Sequence, residues 1–481
     1  MKKNFFYNFL LTGSNLLFPL LTFPYLSRIL GVEGLGVTNF IISYGQNYMI
    51  IAALGLPVYG IREISKLGND RIKRSVLFFE LLLIHFIVSI FFLIVYIFSI
   101  FFSSEFKDYY TISLLGGVLI ILNVFTIQWL FTGVNDFKYI TIRSLLVKVI
   151  SLFAIYLFVQ KKDDYLIFFI ILILSTLLNA LIDVYYARKL ISFKINFSFK
   201  GIFKHFKPIS ILGIYMVLTS IYSVLPATLL GFLSTKSAVG YYYTANRIVR
   251  IVISLFAALI SVFIPQFNYV LENRGIEAYN LLIVKSINII ISFAIPISFF
   301  VYLSSSAIVK LLTGDLYYKS ILLVQIMSPV ILLVPFAQIF VLLILNVFRK
   351  DFLMVILSVI GMSISLLINL LFIPVLSENA TAYSQLFAEL FVTILSFFFA
   401  KNVHYFYFPI RLFFLNIIFA IPFAVITYLF SISFTNNFLI LLMSSLFCGL
   451  YFIIYQLYVL KNSIIIDMIT FCRVKIYFYL P

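Results

Sequence analysis

The chain has 481 residues, of which 63% are hydrophobic and 11% charged. Soluble domains are near half apolar and a quarter charged, so a soluble fold is excluded. Most of the net charge of +17 falls in one alternate set of loops, which points to membrane topology rather than to a nucleic-acid partner.

A spanning helix takes about 20 apolar residues, and about fourteen of them fit the apolar content of this chain. The apolar runs are continuous, unlike the short alternating strands of a membrane barrel. The expected fold is an all-α polytopic membrane protein with about 14 transmembrane helices. The start, Met1-Lys2-Lys3 and then apolar residues, has the look of a signal peptide. It contains Pro19, Pro24 and Arg28 and ends in no small-residue cleavage site, so it reads as a retained first helix.

In chain order the first six predicted helices are Asn8–Leu30, Gly36–Gly60, Ser75–Phe102, Thr111–Phe131, Ile142–Gln160 and Tyr165–Ala187. The next six are Pro208–Leu233, Gly240–Val270, Asn280–Leu303, Ser320–Phe348, Phe352–Leu376 and Ala380–Ala400. Leu412–Phe430 and Phe438–Leu460 follow. One set of ends is basic, from Lys2 and Lys3 through Arg62 to Arg74, Lys138, Arg143, Arg188 to Lys207, Arg274, Arg349, Lys350, Lys401 and Arg411 to Arg473 and Lys475. The opposite set holds Lys107, Lys161, Lys162, Lys236 and Lys319. The basic set is the cytoplasmic one, so both termini are expected in the cytoplasm. The outward loops, such as Gly31–Leu35, Ser103–Tyr110 and Ser304–Lys319, are too short to fold a catalytic domain.

The long inward loop Arg188 to Lys207 divides two six-helix stretches. The expected organisation is an N-terminal lobe over 1–200, a second lobe over 201–405, and two additional helices with a short tail over 406–481. Two short strings recur at equivalent places. Gly36-Val37-Thr38 after one tight outer turn answers Gly240-Tyr241-Tyr242 after another. Asn135-Asp136-Phe137-Lys138 answers Lys350-Asp351-Phe352-Leu353. Parallel six-helix repeats are a known transporter plan.

Charges inside spans are costly and mark pathways by default. Arg28 ends the first helix near its outer end, as an interfacial anchor or as the wall of a central cavity. Arg247 and Arg250 lie in the outer half of the eighth helix, at the matching place of the second half. Guanidinium suits phosphate, because its planar fork donates two hydrogen bonds and stays charged. Arg62 is read as an anchor at the inner end of the second helix, or as a phosphate contact there. Asn39, Ser43, Tyr44, Gln46 and Asn47 make that helix dense in polar groups and are read as lining a cavity. Glu80, Asp183 and Glu389 are the ion-coupling candidates. Glu80 and Asp183 lie near enough to the inner surface to be hydrated, and Glu389 is deeper. His85 is read as a buried, hydrogen-bonded residue, and Lys148 and Lys285 as snorkelling cations without a role. Pro19, Pro24, Pro57, Pro265, Pro296 and Pro335 interrupt predicted helices, with Pro19 and Pro24 as the candidate hinge. Cys448 and Cys472 form no metal pattern. There is no phosphate-binding G-x-x-x-x-G-K-[ST] loop and no H-E-x-x-H, so no catalytic residues, metal or cofactor are expected.

Leu26-Ser27-Arg28-Ile29-Leu30-Gly31, Gly34-x-Gly36 and Gly55-x-Pro57-x-x-Gly60-x-Arg62-Glu63 together resemble the opening of Wzx-type polysaccharide flippases. So do Gln128-Trp129-Leu130-Phe131-x-Gly133, Asp136-Phe137, and Leu312-Thr313-Gly314 with Tyr317 and Tyr318. Thr132 stands where the family usually has Gln. The resemblance implies a MATE-like two-lobe, inverted-V core of twelve helices plus two C-terminal helices, in the superfamily that also holds lipid II flippases and multidrug exporters. It implies a transporter rather than an enzyme, in a bacterial cytoplasmic membrane. The substrate would be undecaprenyl-diphosphate-linked oligosaccharide for O-antigen, capsule or another exopolysaccharide, moved by alternating access. Transport would be coupled to a proton or sodium gradient, with a polysaccharide polymerase and chain-length regulator as partners. A pyrophosphate crossing about 30 Å of hydrocarbon needs a cationic, wet path, which Arg28 with Arg247 or Arg250 would supply. The rival readings are a cation-coupled drug exporter, which needs deep carboxylates, and a polysaccharide polymerase or ligase, which needs a large outer loop.

Overall fold

The computed structural model describes residues 2–68, 70–192 and 199–462. Every regular element among them is helical. Twelve helical stretches are long and apolar enough to span a bilayer. One of them, Leu10–Ala53, has 44 residues, about 66 Å of helix and roughly twice the hydrocarbon thickness. It turns back at Gly31, whose φ of 66° breaks the helix Lys2–Ala53, so it crosses twice. The 35-residue helix Phe199–Leu233 is also long enough to cross. The architecture is therefore consistent with fourteen crossings. Side chains such as Phe98, Leu174, Leu371 and Val425 stand exposed on the outside of the spans, as hydrocarbon solvent requires.

Several predicted loops turn out to be single-residue breaks. Gly31 alone is non-helical in the expected loop Gly31–Leu35. Gly275, at φ 78°, alone interrupts Lys236–Leu303. The expected outer loop Ser304–Lys319 contains a helix, Ser305–Thr313, ended by Gly314 at φ 84°. Backbone groups near hydrocarbon are satisfied most easily by staying helical. Glycine admits the left-handed φ at the one place where the chain must turn.

The predicted helix Gly36–Gly60 is two elements. Leu54 and Gly55 adopt φ 47° and 77°, and an eleven-residue amphipathic helix, Leu56–Lys66, follows. Pro57 sits in its first turn, where the missing N–H costs nothing, so Pro57 interrupts no helix. The predicted Thr111–Phe131 likewise divides into Tyr110–Phe125 and Gln128–Gly133. The two short helices pack on each other. A Cβ on Gly60 would meet Trp129 Cε3 at 2.5 Å, and one on Gly133 would meet Ile64 Cβ at 2.8 Å. The glycines and the tryptophan of two separate motifs thus make one close contact.

The chain divides into two compact units. The first is Met1–Tyr243 with Ser365–Thr381, and the second is Thr244–Ile364 with Ala382–Pro481. The first unit has a cluster of Phe40, Tyr44, Phe106 and Phe232 and a basic-end core around Leu81, Trp129, Leu130 and Phe131. In the second, the two C-terminal stretches Ile410–Ser433 and Asn437–Val459 are tied down by buried amides. Gln456 Nε2 donates to Asn416 Oδ1 at 2.6 Å, and Asn462 Nδ2 donates to Ser292 Oγ at 2.7 Å. The helix Lys319–Met327 runs on through Val330–Gln338, with Pro335 inside, and widens to a π turn over Ile339–Leu345. Lys194, Cys472, Arg473 and Lys475 lie outside the described residues.

Candidate functional site

Arg28 lies three residues before the Gly31 break and is exposed; it belongs to the first unit. Arg247 and Arg250 lie one turn apart on the helix Lys236–Leu303, in the second unit, and both are partly buried. Arg250 Nε donates to Asn246 Oδ1 at 3.3 Å, one turn back on its own helix. Arg62 is exposed, bonds Glu63 at 3.0 Å and lies 5.4 Å from the Tyr59 ring centroid.

The predicted cavity amides make helix contacts. Asn39 is buried and donates to the Leu35 carbonyl at 2.7 Å. Asn47 Nδ2 donates to Ser43 O and to Thr228 Oγ1 at 2.9 Å, and the Thr228 hydroxyl donates to Ser43 Oγ at 3.2 Å. These bonds knit Lys2–Ala53 to Phe199–Leu233.

Two of the three carboxylates are dry and neutralised, where hydration was expected. Asp183 is fully buried, forms an ion pair with Arg143 and accepts from the Tyr139 hydroxyl at 2.9 Å. The helix carrying Arg143, Phe137–Phe158, starts five residues before its predicted start, because Asp136 caps it by accepting from Tyr139 N. That start puts Arg143 inside the helix rather than in a loop. Glu80 is buried between Lys204, at 3.1 Å, and His205, at 2.8 Å. The His205 ring is in turn bonded to the Tyr59 hydroxyl at 2.7 Å. Lys204 and His205 read in the sequence as part of a basic linker, and only the lone histidine in a lysine-rich run hinted at more. Glu389 is buried within Glu378–Val403.

Lys148 is no surface snorkel. It lies midway along Phe137–Phe158 and donates to Ser14 Oγ at 2.8 Å and to Asn15 Oδ1. Lys285, by contrast, is exposed at the rim of a cavity of about 680 Å³ that Asn280 and Tyr407 also line. Outside the spans, Asp70 caps Arg71–Phe102, and the Lys73 N–H holds its carboxyl below the usual range. His404 is pushed down by burial.

The two outer turns of the first unit pack against each other through glycine. A Cβ on Gly36 would lie 2.7 Å from the Lys236 carbonyl carbon and 3.1 Å from Gly240 N. One on Gly240 would lie 3.1 Å from the carbonyl carbon and from Cγ1 of Val32. The contact is reciprocal, since Val32 precedes Gly36 by the same four residues that separate Lys236 from Gly240. Lys236 is buried, with its ammonium 3.0 Å from Glu105 Oε2, 2.6 Å from the Gly231 carbonyl and 4.2 Å from the Phe40 ring centroid. Among the described residues no three His, Cys, Asp or Glu side chains gather as metal ligands would.

Residues 1–270 match the family model described as polysaccharide biosynthesis protein, which covers more than half of the chain. The chain belongs to that family. A relative described as "Putative O-antigen transporter" from Escherichia coli (strain K12) is 24% identical over 413 residues, 84% of this chain and 97% of the relative. A second, under the same description from Shigella dysenteriae, is 22% identical over 52% of this chain and 62% of its own. Lipid II flippase MurJ in an inward closed conformation superposes with a TM-score of 0.78 at 14% identity, over 96% of this chain and 100% of that one. An inward-facing multidrug resistance MATE transporter of the MOP superfamily gives 0.62 at 12% identity, over 80% and 94%. The protein is a Wzx-type, multi-pass membrane protein with the MurJ- and MATE-like fold, as the motifs of its first two-thirds implied.

Proposed function

We propose that this chain is a flippase that carries undecaprenyl-diphosphate-linked oligosaccharide units across the cytoplasmic membrane by alternating access. It is a transporter of polysaccharide precursors and not an enzyme. The family match over residues 1–270 carries the reading, and the curated relative described as an O-antigen transporter supports the substrate class. The structure bears on the rival. A drug exporter for cations needs available carboxylates in its lobes, and two of the three carboxylates within the predicted helices, Asp183 and Glu80, are bound to basic side chains of this chain itself. Carboxylates so engaged attract no cationic drug, whereas arginines at 28, 247 and 250 suit a pyrophosphate. The isoprenoid tail stays in lipid.

In this reading Arg28 of the first unit, and Arg247 with Arg250 of the second, are each candidate ligands of the pyrophosphate, and Pro19 and Pro24 are the hinge of the first helix. Lysine keeps the charge and loses the bidentate fork. Arg28→Lys and Arg247→Lys are expected to retain partial transport, and alanine at either to abolish most of it. The measurement is surface polysaccharide restored in a null strain at matched membrane expression. Full restoration by Arg28→Ala, Arg247→Ala and the Arg247→Ala/Arg250→Ala pair would show that these arginines are anchors.

A further inference from the structure

The basic end of the first unit holds three titratable side chains in series. Tyr59, His205 and Glu80 are exposed by only 6%, 5% and 2%. They come from three elements: Leu56–Lys66, Phe199–Leu233 and Arg71–Phe102. The Tyr59 hydroxyl is 2.7 Å from His205 Nδ1, and His205 Nε2 is 2.8 Å from Glu80 Oε2. We propose that this triad is the inner proton-binding site of the transporter, and that the ion coupled to transport is H⁺. The inference rests on the flippase reading and adds the ion and its site.

The geometry allows His205 to hold or release a proton without losing a partner. Neutral, it donates from Nε2 to Glu80 and accepts at Nδ1 from Tyr59. Protonated, it donates from both nitrogens, and the Tyr59 hydroxyl turns to accept. Only a hydroxyl rotates. The bond to Glu80, already charge-assisted through its carboxylate, becomes an ion pair as well. Proton binding therefore tightens the tie between the start of Phe199–Leu233 and the two elements it packs on, which is the conformational consequence that coupling needs. Burial also holds the Tyr59 hydroxyl above its ordinary range, keeping its proton in place.

The surrounding charges are accounted for. Lys204, on the same helix, reaches Glu80 at 3.1 Å from the surface. From Leu56–Lys66, Arg62 lies over the Tyr59 ring, and Glu63 is paired with both Arg62 and Lys66. From Arg71–Phe102 the facing group is Glu80 itself. Lys2–Ala53 also packs on Phe199–Leu233, and its contacts there include Leu54 against Gly213 and Asn47 on Thr228, neither of them ionisable.

A route toward the other membrane face lies on the helix that carries Glu80. His85, Ser89 and Tyr96 project from one side of Arg71–Phe102 at helical spacing, all buried, about 140° around the helix from Glu80. His85 Nε2 and Ser89 Oγ have no hydrogen-bond partner among the described residues. Buried polar atoms without partners are rare and call for water. Beyond them Ser99 accepts from the hydroxyls of Tyr44 and Tyr48. From Glu80 to Ser99 the helix rises about 28 Å, close to the thickness of the hydrocarbon core. Polar groups thus recur along this helix, and water would have to bridge from Glu80 to His85 and from Ser89 to Tyr96.

The test is the rate at which surface polysaccharide appears in a null strain carrying the full chain, followed from about pH 5 to 8. The wild type is expected to vary with pH, to stop with a protonophore and to be indifferent to replacing sodium with potassium. His205→Gln keeps a donor and an acceptor but does not titrate. It is expected to insert normally, to lose most of the rate and to show a flat pH profile. Tyr59→Phe removes one bond and leaves the imidazole, so its profile is displaced rather than flattened. A wild-type profile in His205→Gln or Tyr59→Phe, or sodium dependence in the wild type, overturns the proposal. Should His205→Gln fail to insert, Glu80→Gln decides in its place, a flat profile supporting the site and a wild-type profile overturning it. Failure of the flippase reading itself shows earlier and separately, as a wild-type chain that restores no polysaccharide.

Discussion

The outer contact between Gly36 and Gly240 predicts what a single methyl group will do. Both residues are helical, so alanine at either gains about 1 kcal/mol in helix propensity over glycine. Against that gain, a Cβ at Gly36 lies 2.7 Å from the Lys236 carbonyl carbon and 3.1 Å from Gly240 N. These are backbone atoms and cannot rotate away. The Lys236 carbonyl oxygen is nearer still, so restoring ordinary contact needs the two helices to part by well over 1 Å. Overpacking of this kind costs about 1–3 kcal/mol, and the shift also draws Lys236 off Glu105 and the Phe40 ring. Gly36→Ala is therefore expected to cost about 2 kcal/mol against the closed contact, the upper end of overpacking less the helix gain. The Gly36→Ala/Gly240→Ala pair and Gly36→Leu should lie beyond that. A loss of about 2.8 kcal/mol shifts an open–closed ratio roughly a hundredfold. Thr38 is fully buried beside the contact, so Thr38→Cys, with Cys448 and Cys472 changed to serine, reports opening through labelling by a membrane-impermeant maleimide. The expected result is faster labelling from the outer face in Gly36→Leu and in the double alanine, with slower transport. Unchanged labelling and full transport in both variants would refute the reasoning that this contact holds the outer side shut.

Asp183→Asn leaves the Arg143 guanidinium buried beside a neutral amide. Breaking such a pair from one side costs about 3–5 kcal/mol, so thermal unfolding in detergent should move down by several degrees, with Arg143→Met/Asp183→Leu recovering much of the loss. Melting of Asp183→Asn at the wild-type temperature would show that the pair contributes nothing. Glu389→Gln is expected to lower transport equally at every pH, as befits a buried pairing residue; a flattened pH profile would move the coupling site there. Reporter fusions at Pro481 should be active as cytoplasmic fusions, since the basic ends lie on that side, and activity confined to the periplasm would reverse the topology.

The spans were legible because hydropathy alone marks them, and nearly every predicted helix overlaps an observed one. What pattern reading missed are the places where helix continues past the apolar run. Leu56–Lys66 is polar on one face and apolar on the other, with Leu56, Tyr59, Gly60 and Ile64 buried. Its residues looked like a frayed helix end joined to a basic loop. The single-glycine turns at Gly31 and Gly275 were hidden because no loop composition marks a one-residue break. Arg143 and Asp183 were each visible as charges near a helix end. Their pairing was not, because it depends on two helices lying side by side with both residues about one turn in from the same face. His205 was lost among lysines for the same reason, its partners Tyr59 and Glu80 being more than a hundred residues away.

The duplication proposed from two short strings finds its best support in backbone hydrogen bonds. In the first unit Asn135 adopts φ 60°, Asn135 N donates to Thr132 O at 3.0 Å, and Asp136 N donates to Phe131 O at 2.9 Å. In the second, Arg349 adopts φ 56°, Arg349 N donates to Asn346 O at 3.0 Å, and Lys350 N donates to Leu345 O at 2.8 Å. Both are the paired short and long bonds of a Schellman turn, each leading straight into a spanning helix. The bonds align Asn135 with Arg349, so the shared Asp-Phe string is offset by one residue from the turn that it marks. Neither Asn135 nor Arg349 is the glycine that such a position favours, and a left-handed residue is uncommon outside glycine. The reciprocal packing of Gly36 on the second outer turn and of Gly240 on the first has the form of an isologous contact, in which each member meets the other's equivalent surface. A contact of that form arises naturally when one ancestral hairpin pairs with its own duplicate, and it explains why glycine stands at both positions.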